Sequence, residues 1–92
     1  MYKVVKTFMA GNQFINNAKK LTDLDGWTVG KPYKWATMLA MVNCEYTQTF
    51  ADKNDYMLNA LAMQNKFESD LLSVGFTREQ IDKYSGEIIF PK

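Results

Sequence analysis

From Asp52 to Val74, apolar residues recur at helical spacing through a quarter of the 92-residue chain. Tyr56, Met57, Ala60, Leu61, Met63, Phe67, Leu71 and Val74 cover nearly half the circumference of such a helix, with Asp55, Asn59, Lys66 and Ser73 opposite. Gly75 ends the segment. Thr77 then caps a short helix running to about Tyr84, with Gln80 in the capping-box position. Leu58 points away from the long apolar stripe. A stripe this broad needs a cover, and a small sheet leaves part of it over. A second copy of the chain or a partner groove would take the remainder. Six methionines (Met1, Met9, Met38, Met41, Met57 and Met63) serve either as core filling or as an adaptable binding surface.

The N-terminal segment changes period. Tyr2, Val4, Lys6 and Phe8 alternate with Lys3, Val5 and Thr7, the pattern of a strand. Lysines on both faces suggest an edge position. Gly11-Asn12 breaks the strand, and Asn12 suits the N-cap of an amphipathic helix over about 12–23 with Phe14, Ile15, Ala18 and Leu21 inward. Asp25-Gly26 stops that helix. Trp27, Thr28 and Val29 start a second strand, which Gly30-Lys31-Pro32 interrupts. At the other end Glu87–Phe90 is extended, Pro91 closes the pattern, and Ile88, Ile89 and Phe90 are expected to anchor the tail to the core.

Residues 33–50 carry two patterns. As a helix, Trp35, Leu39, Val42, Tyr46 and Phe50 form one stripe, and Pro32 suits a first turn. As a strand, Ala36, Met38, Ala40, Val42, Cys44 and Tyr46 form one apolar face. Ala, Met and Leu favour helix in the first half, while Val42, Tyr46, Thr47 and Thr49 favour strand in the second. Periodicity alone leaves both open.

Four short motifs bear on the choice: Tyr2-Lys3-Val4-Val5, Ala18-Lys19-Lys20-Leu21, Gly26-Trp27-Thr28-Val29-Gly30 and Leu39-Ala40-Met41-Val42. In this order, over about residues 1–47, they resemble short bacterial and phage domains of unknown function, with Leu39 where those domains tend to carry Gln. The resemblance implies a β-α-β-β unit and a strand over 36–47, and brings no activity with it. The expected class is thus α+β in a single domain: a small, mainly antiparallel sheet with a β-α-β-β start, covered by a long helix (about 52–74) and a short one (about 77–84). An all-α bundle is the alternative if 33–50 is helical.

Composition narrows the chemistry. There is no histidine, and Cys44 is the single cysteine. Ser-His-Asp and Cys-His catalysis, a Cys-rich zinc site and an intrachain disulfide are thereby excluded. A lone thiol suits a reducing cytoplasm. No apolar run approaches the length of a membrane span, and Lys3 and Lys6 interrupt the apolar stretch near Met1, so neither a membrane helix nor a secretory signal is expected. Asp23-Leu24-Asp25-Gly26 looks like the start of a calcium loop, but Trp27 and Lys34 stand where oxygen ligands belong, so it reads as a turn. No catalytic, metal or cofactor residues emerge, and the chain is expected not to be an enzyme.

The net charge of +1 argues against the basic field of a duplex-DNA binder. It hides an asymmetry of +4 over residues 1–35 and −3 over 36–92. The most distinctive segment is Lys31-Pro32-Tyr33-Lys34-Trp35, where cations alternate with aromatics. Lys31, Tyr33, Lys34 and Trp35 are therefore the candidate partner-binding residues. Tyr and Trp suit a protein-interface hot spot. The same residues suit single-stranded DNA or RNA, with rings stacking on bases and lysines on phosphates. The expected function is a small protein–protein interaction module, and more sharply a phage- or mobile-element-type inhibitor of a host protein. Single-strand nucleic-acid binding is the alternative.

Overall fold

The computed structural model describes residues 1–36 and 39–91. It is an α+β fold in two layers: a five-stranded antiparallel sheet with helices on one face. The strands are β1 (Tyr2–Gly11), β2 (Trp27–Val29), β3 (Tyr33–Ala36), β4 (Leu39–Phe50) and β5 (Ser85–Pro91). The helices are α1 (Ile15–Lys19), flanked by 3-10 turns at Asn12–Phe14 and Lys20–Asp23, then α2 (Lys53–Ser73) and α3 (Arg78–Tyr84). The spatial order is β2-β4-β1-β5, with β3 also on β4. The strand reading of the ambiguous segment therefore holds from Leu39 onward and the all-α alternative fails, but Ala36, expected in that same strand, ends β3 and pairs back on Leu39. Thr37 and Met38, which that reading placed within one strand, lie outside the described residues.

Long-range pairing decides the ambiguous segment. β4 runs against β1 from the Tyr2–Phe50 pair to Gly11–Met41, and every even-numbered inward residue of β1 meets an even-numbered one on β4. This places Tyr2, Val4, Phe8 and Ala10 beside Val42, Cys44, Tyr46 and Phe50 in one core. A helix over 33–50 would forfeit that entire face. On the far side of β4, β2 pairs at Cys44–Tyr46 and β3 at Leu39–Met41, end to end.

β1 is central, contrary to the edge expected from its lysines. Lys6 is only 7% exposed, and its ammonium lies 2.6 Å from Glu87 Oε2, directly across the β1–β5 ladder. A buried lysine is tolerated here because its charge is paired. Truncating either partner should have opposite consequences. Glu87→Ala strands a buried ammonium and is expected to cost about 1–2 kcal/mol, whereas Lys6→Met is expected to be neutral or stabilising. Urea denaturation of both variants checks the signs.

Three further expectations need correction. Gly11, not Asn12, is the N-cap of the first helical turn, and no side chain caps it. The chain enters that turn directly from a paired strand, so Asn12 is already inside it. Ile88, Ile89 and Phe90 do not reach the core: β5 is exposed along its whole length and is held by its ladder to β1. Finally, the buried stripe of α2 is narrower than its sequence. Met63, Phe67 and Leu71 are buried, but Met57 and Leu61 are 64% and 73% exposed, and Leu58 is 86% exposed.

α2 is fixed at both ends and at its middle. Asp52 caps it by accepting from the Asp55 N–H at 2.9 Å. Phe67 stacks on Trp27 at 5.5 Å, and the Trp27 indole donates to Asp70 Oδ2 at 2.7 Å. Gly75 follows with φ +107°, and Asn17 Nδ2 donates to the Val74 carbonyl at 2.6 Å. The capping box read at Thr77 and Gln80 is present at the start of α3. Arg78 also bonds Glu68 of α2 at 3.0 Å. Hydrogen bonds from Gln64 and Arg78 hold the Glu68 carboxyl below its ordinary pKa.

Candidate functional site

A mismatch in strand length creates a concavity beside β1. The ladder of β5 on β1 ends at the Phe8–Ser85 pair, because the chain passes straight from α3 into β5 at Ser85. β1 continues to Gly11, paired with β4 on its other side. Among the described residues, Met9, Ala10 and Gly11 thus have no strand partner on the β5 side.

α3 stands beside this open stretch and turns it into a cleft of about 730 Å³, within the range of ordinary ligand pockets. Its floor is aromatic: Phe76 packs edge-on against Phe8 at 4.7 Å and tilted against Phe14 at 5.7 Å. Met9 and Met41 add adaptable apolar surface at one side. The rim is polar, with Asn12 and Gln13 from the turn and Glu79, Gln80, Lys83 and Tyr84 from α3. The Lys83 ammonium lies 5.4 Å from the Tyr84 ring centroid. The wall is secure because Ile81 is buried and the capping box fixes the first turn of α3. Gly11 sits at the mouth, where an added Cβ would meet nothing within 4 Å.

Of the residues singled out in the sequence, only Tyr33 is seen to reach this cleft's lining. Lys31 is exposed in the connection before β3, and Tyr33 and Lys34 are exposed within it. The Tyr33 hydroxyl reaches Met9 Sδ at 4.0 Å, which places this ring against the cleft lining. Tyr33 and Lys34 are consecutive strand residues and so face opposite sides of the sheet. The backbone of Trp35 belongs to β3, while its side chain lies outside what the structure describes. Trp27, by contrast, is a core residue.

The cleft itself was missed in the sequence. Its lining comes from β1, the Asn12–Phe14 turn, β4 and α3, and no single motif unites them. The one local signal was the capping box, which fixes where α3 starts.

Cys44 contributes no reactive thiol to this region. It is fully buried in the core, and desolvation raises its pKa to about 12. At pH 8 only about one thiol in ten thousand would be ionised. Native protein is accordingly expected to react with a thiol reagent only as fast as it unfolds. Labelling that is complete within seconds without denaturant would contradict that burial.

Among the described residues, no group of three or more His, Cys, Asp or Glu side chains is placed to hold a metal ion. No described helix is long and apolar enough to cross a membrane. No protein-family model matches the chain, and no curated protein or solved structure matches it either.

Proposed function

We propose that this domain is a non-enzymatic interaction module that takes an extended segment of a partner protein into the cleft beside β1. The observation that carries the reading is the unpartnered stretch Met9–Gly11, flanked by the aromatic floor and by α3. Backbone groups on a free strand edge recruit an added strand, while pockets beside the edge select its side chains. Here Phe14, Met9 and Met41, half-buried over the core residues Phe8 and Phe76, supply apolar contact, and Glu79, Gln80, Lys83 and Tyr84 supply the rim. Tyr33 extends the binding surface onto β3 through its contact with Met9.

The narrower reading is that the partner is a host protein whose working surface the domain occupies. Its ten lysines to one arginine support it. Single-strand nucleic acid would instead use Lys31, Tyr33, Lys34 and Trp35. The alternation of Tyr33 and Lys34 separates a ring from a cation and favours the protein-segment reading.

Selection from a displayed random-peptide library tests the proposal. The expected result is enrichment of extended sequences rich in β-branched and aromatic residues. Their affinity should fall about tenfold or more in Tyr84→Ala and in Lys83→Glu, both at exposed positions. No enrichment, or enriched peptides indifferent to both substitutions, would overturn it. Oligonucleotide binding that disappears in Lys31→Glu and Lys34→Glu would put the nucleic-acid reading in its place.

A further inference from the structure

We infer that β5 is a self-association edge, through which two copies of this chain pair into one continuous sheet. Among the described residues β5 is the end strand on its side of the sheet, and its outer backbone edge has no partner. Sheets usually protect such an edge with outward charges, inward kinks or a covering element. This one has little of that protection. Its single charge within Ser85–Pro91, Glu87, is held by Lys6 and by the Tyr56 hydroxyl, the latter at 3.2 Å. Ile88, Ile89 and Phe90 stand exposed on it.

The second copy, rather than another partner, follows from how the edge complements itself. An antiparallel pair related by a two-fold axis normal to the sheet keeps both helix layers on the same face. It also requires that opposed residues share the same face. Centring the axis on Glu87 would set two carboxylates against each other. Centring it on Ile89 would pair only residues 87–91. Centring it on Ile88 pairs all of Ser85–Pro91: Ile88 meets Ile88, and Glu87 meets Ile89. Gly86 then lies opposite Phe90. Gly86 has no room for a side chain, since an added Cβ would fall 2.7 Å from Thr7 Oγ1. The Phe90 ring of the other copy would then pack over the Gly86 backbone and the Thr7 side chain beside it, an arrangement that compensates glycine in strands.

The helix layer extends the same surface. Glu68 of α2 faces α3 through Arg78, and Lys66 and Asp70 face the opposite way, toward Asp25 and Trp27. At 100° per residue, Met57 and Leu61 fall on the Glu68 side, the side of β5, with Leu58 just beyond. The exposed apolar residues of α2 thus lie on the β5 side of the helix layer, which touches β5 through Tyr56 and Glu87.

Size sets the expected strength. Seven strand residues span about 23 Å, and a sheet plus one helix layer is about 20 Å high. Such a face buries on the order of 900 Å² in total, short of the roughly 1,600 Å² of a standard interface and typical of weak, reversible ones. A micromolar dimer is the expectation, at an edge separate from the cleft residues Met9–Gly11.

Sedimentation equilibrium of the full chain up to about 1 mM tests this. The expected result is a monomer–dimer equilibrium with a dissociation constant of about 1–100 μM. Ile88→Lys should weaken it about tenfold or more with an unchanged circular dichroism spectrum, since the residue is exposed and would meet its own charge on the axis. In Ile88→Cys, opposed Cβ atoms about 4.5–5.5 Å apart should allow the two copies to be linked by a short bismaleimide. Leu72→Cys on the same scaffold should not link. A monomer at every concentration overturns the inference. So does a dimer that Ile88→Lys leaves intact, or one lost only with Leu58→Glu, which would be a helix-to-helix contact.

Discussion

Phe67→Ala is expected to remove about 3–5 kcal/mol of stability, a large fraction of the 5–15 kcal/mol typical of a whole domain. Phe67 is almost completely buried, and its ring lies within 13° of parallel to Trp27. Trp27 in turn packs on Tyr46 at 5.3 Å. This stack of three rings joins α2 to β2 and β4. Truncation leaves a cavity whose walls cannot collapse freely, because the Trp27 indole is tied to Asp70. Asp70 is itself held by Lys66 at 2.5 Å. Alanine is a better helix former than phenylalanine, which offsets only about half a kcal/mol. Urea denaturation followed by tryptophan emission measures the loss. A cost below about 1 kcal/mol would mean that α2 does not dock through Phe67.

Gly26→Ala is the second large effect, at about 2–5 kcal/mol. Gly26 has φ +87°, in the left-handed region. A Cβ there would lie 2.5 and 2.9 Å from the Tyr46 ring and 3.3 Å from the Thr47 carbonyl. Tyr46 cannot step aside. It is buried, packed at a tilt against Trp27, and bonded through its hydroxyl to Gln48. The Gly26 carbonyl also accepts from the Thr47 N–H at 3.0 Å, which fixes the turn against β4. Gly11→Ala is the matched control. Gly11 has φ −79° and open space around it, so alanine should be neutral or stabilise by about 0.4–1 kcal/mol. Equal costs at the two positions in thermal or urea denaturation would refute the argument from geometry.

The elements that could be read in the sequence are those whose signals are local. The period of Asp52–Val74, the capping box at Thr77 and Gln80, and the stop at Asp25-Gly26 each depend on neighbours a few residues away. The strand at 39–50 was not decided by its own residues. It depends on β1, some forty positions earlier, offering a matching apolar face. Lys6 misled for a related reason. A lysine reads as solvent-facing until its distant partner, Glu87, is known. The apolar stripe of α2 was read too broadly because the sheet beneath it was of unknown width. Met57 and Leu61 belong to the helix pattern, but no described element covers them.

The candidate site was legible only at its border. Tyr33 does touch the cleft lining, through Met9. The cleft, however, follows from β1 outlasting β5 at Phe8–Ser85, a difference in length between strands from opposite ends of the chain. No composition or spacing encodes such a difference in one place.

The central claim is that the open stretch of β1 pairs with a partner segment. Amide hydrogen exchange by nuclear magnetic resonance, with and without a selected peptide, tests it most directly. Amides within Met9–Gly11 that face the open edge are expected to become strongly protected on binding, while those bonded to β4 change little. Shifts should also appear at Phe14, Lys83 and Tyr84 around the cleft. A peptide that binds while Met9–Gly11 stays unprotected, with its effects confined to Lys31–Lys34 or to β5, would contradict it.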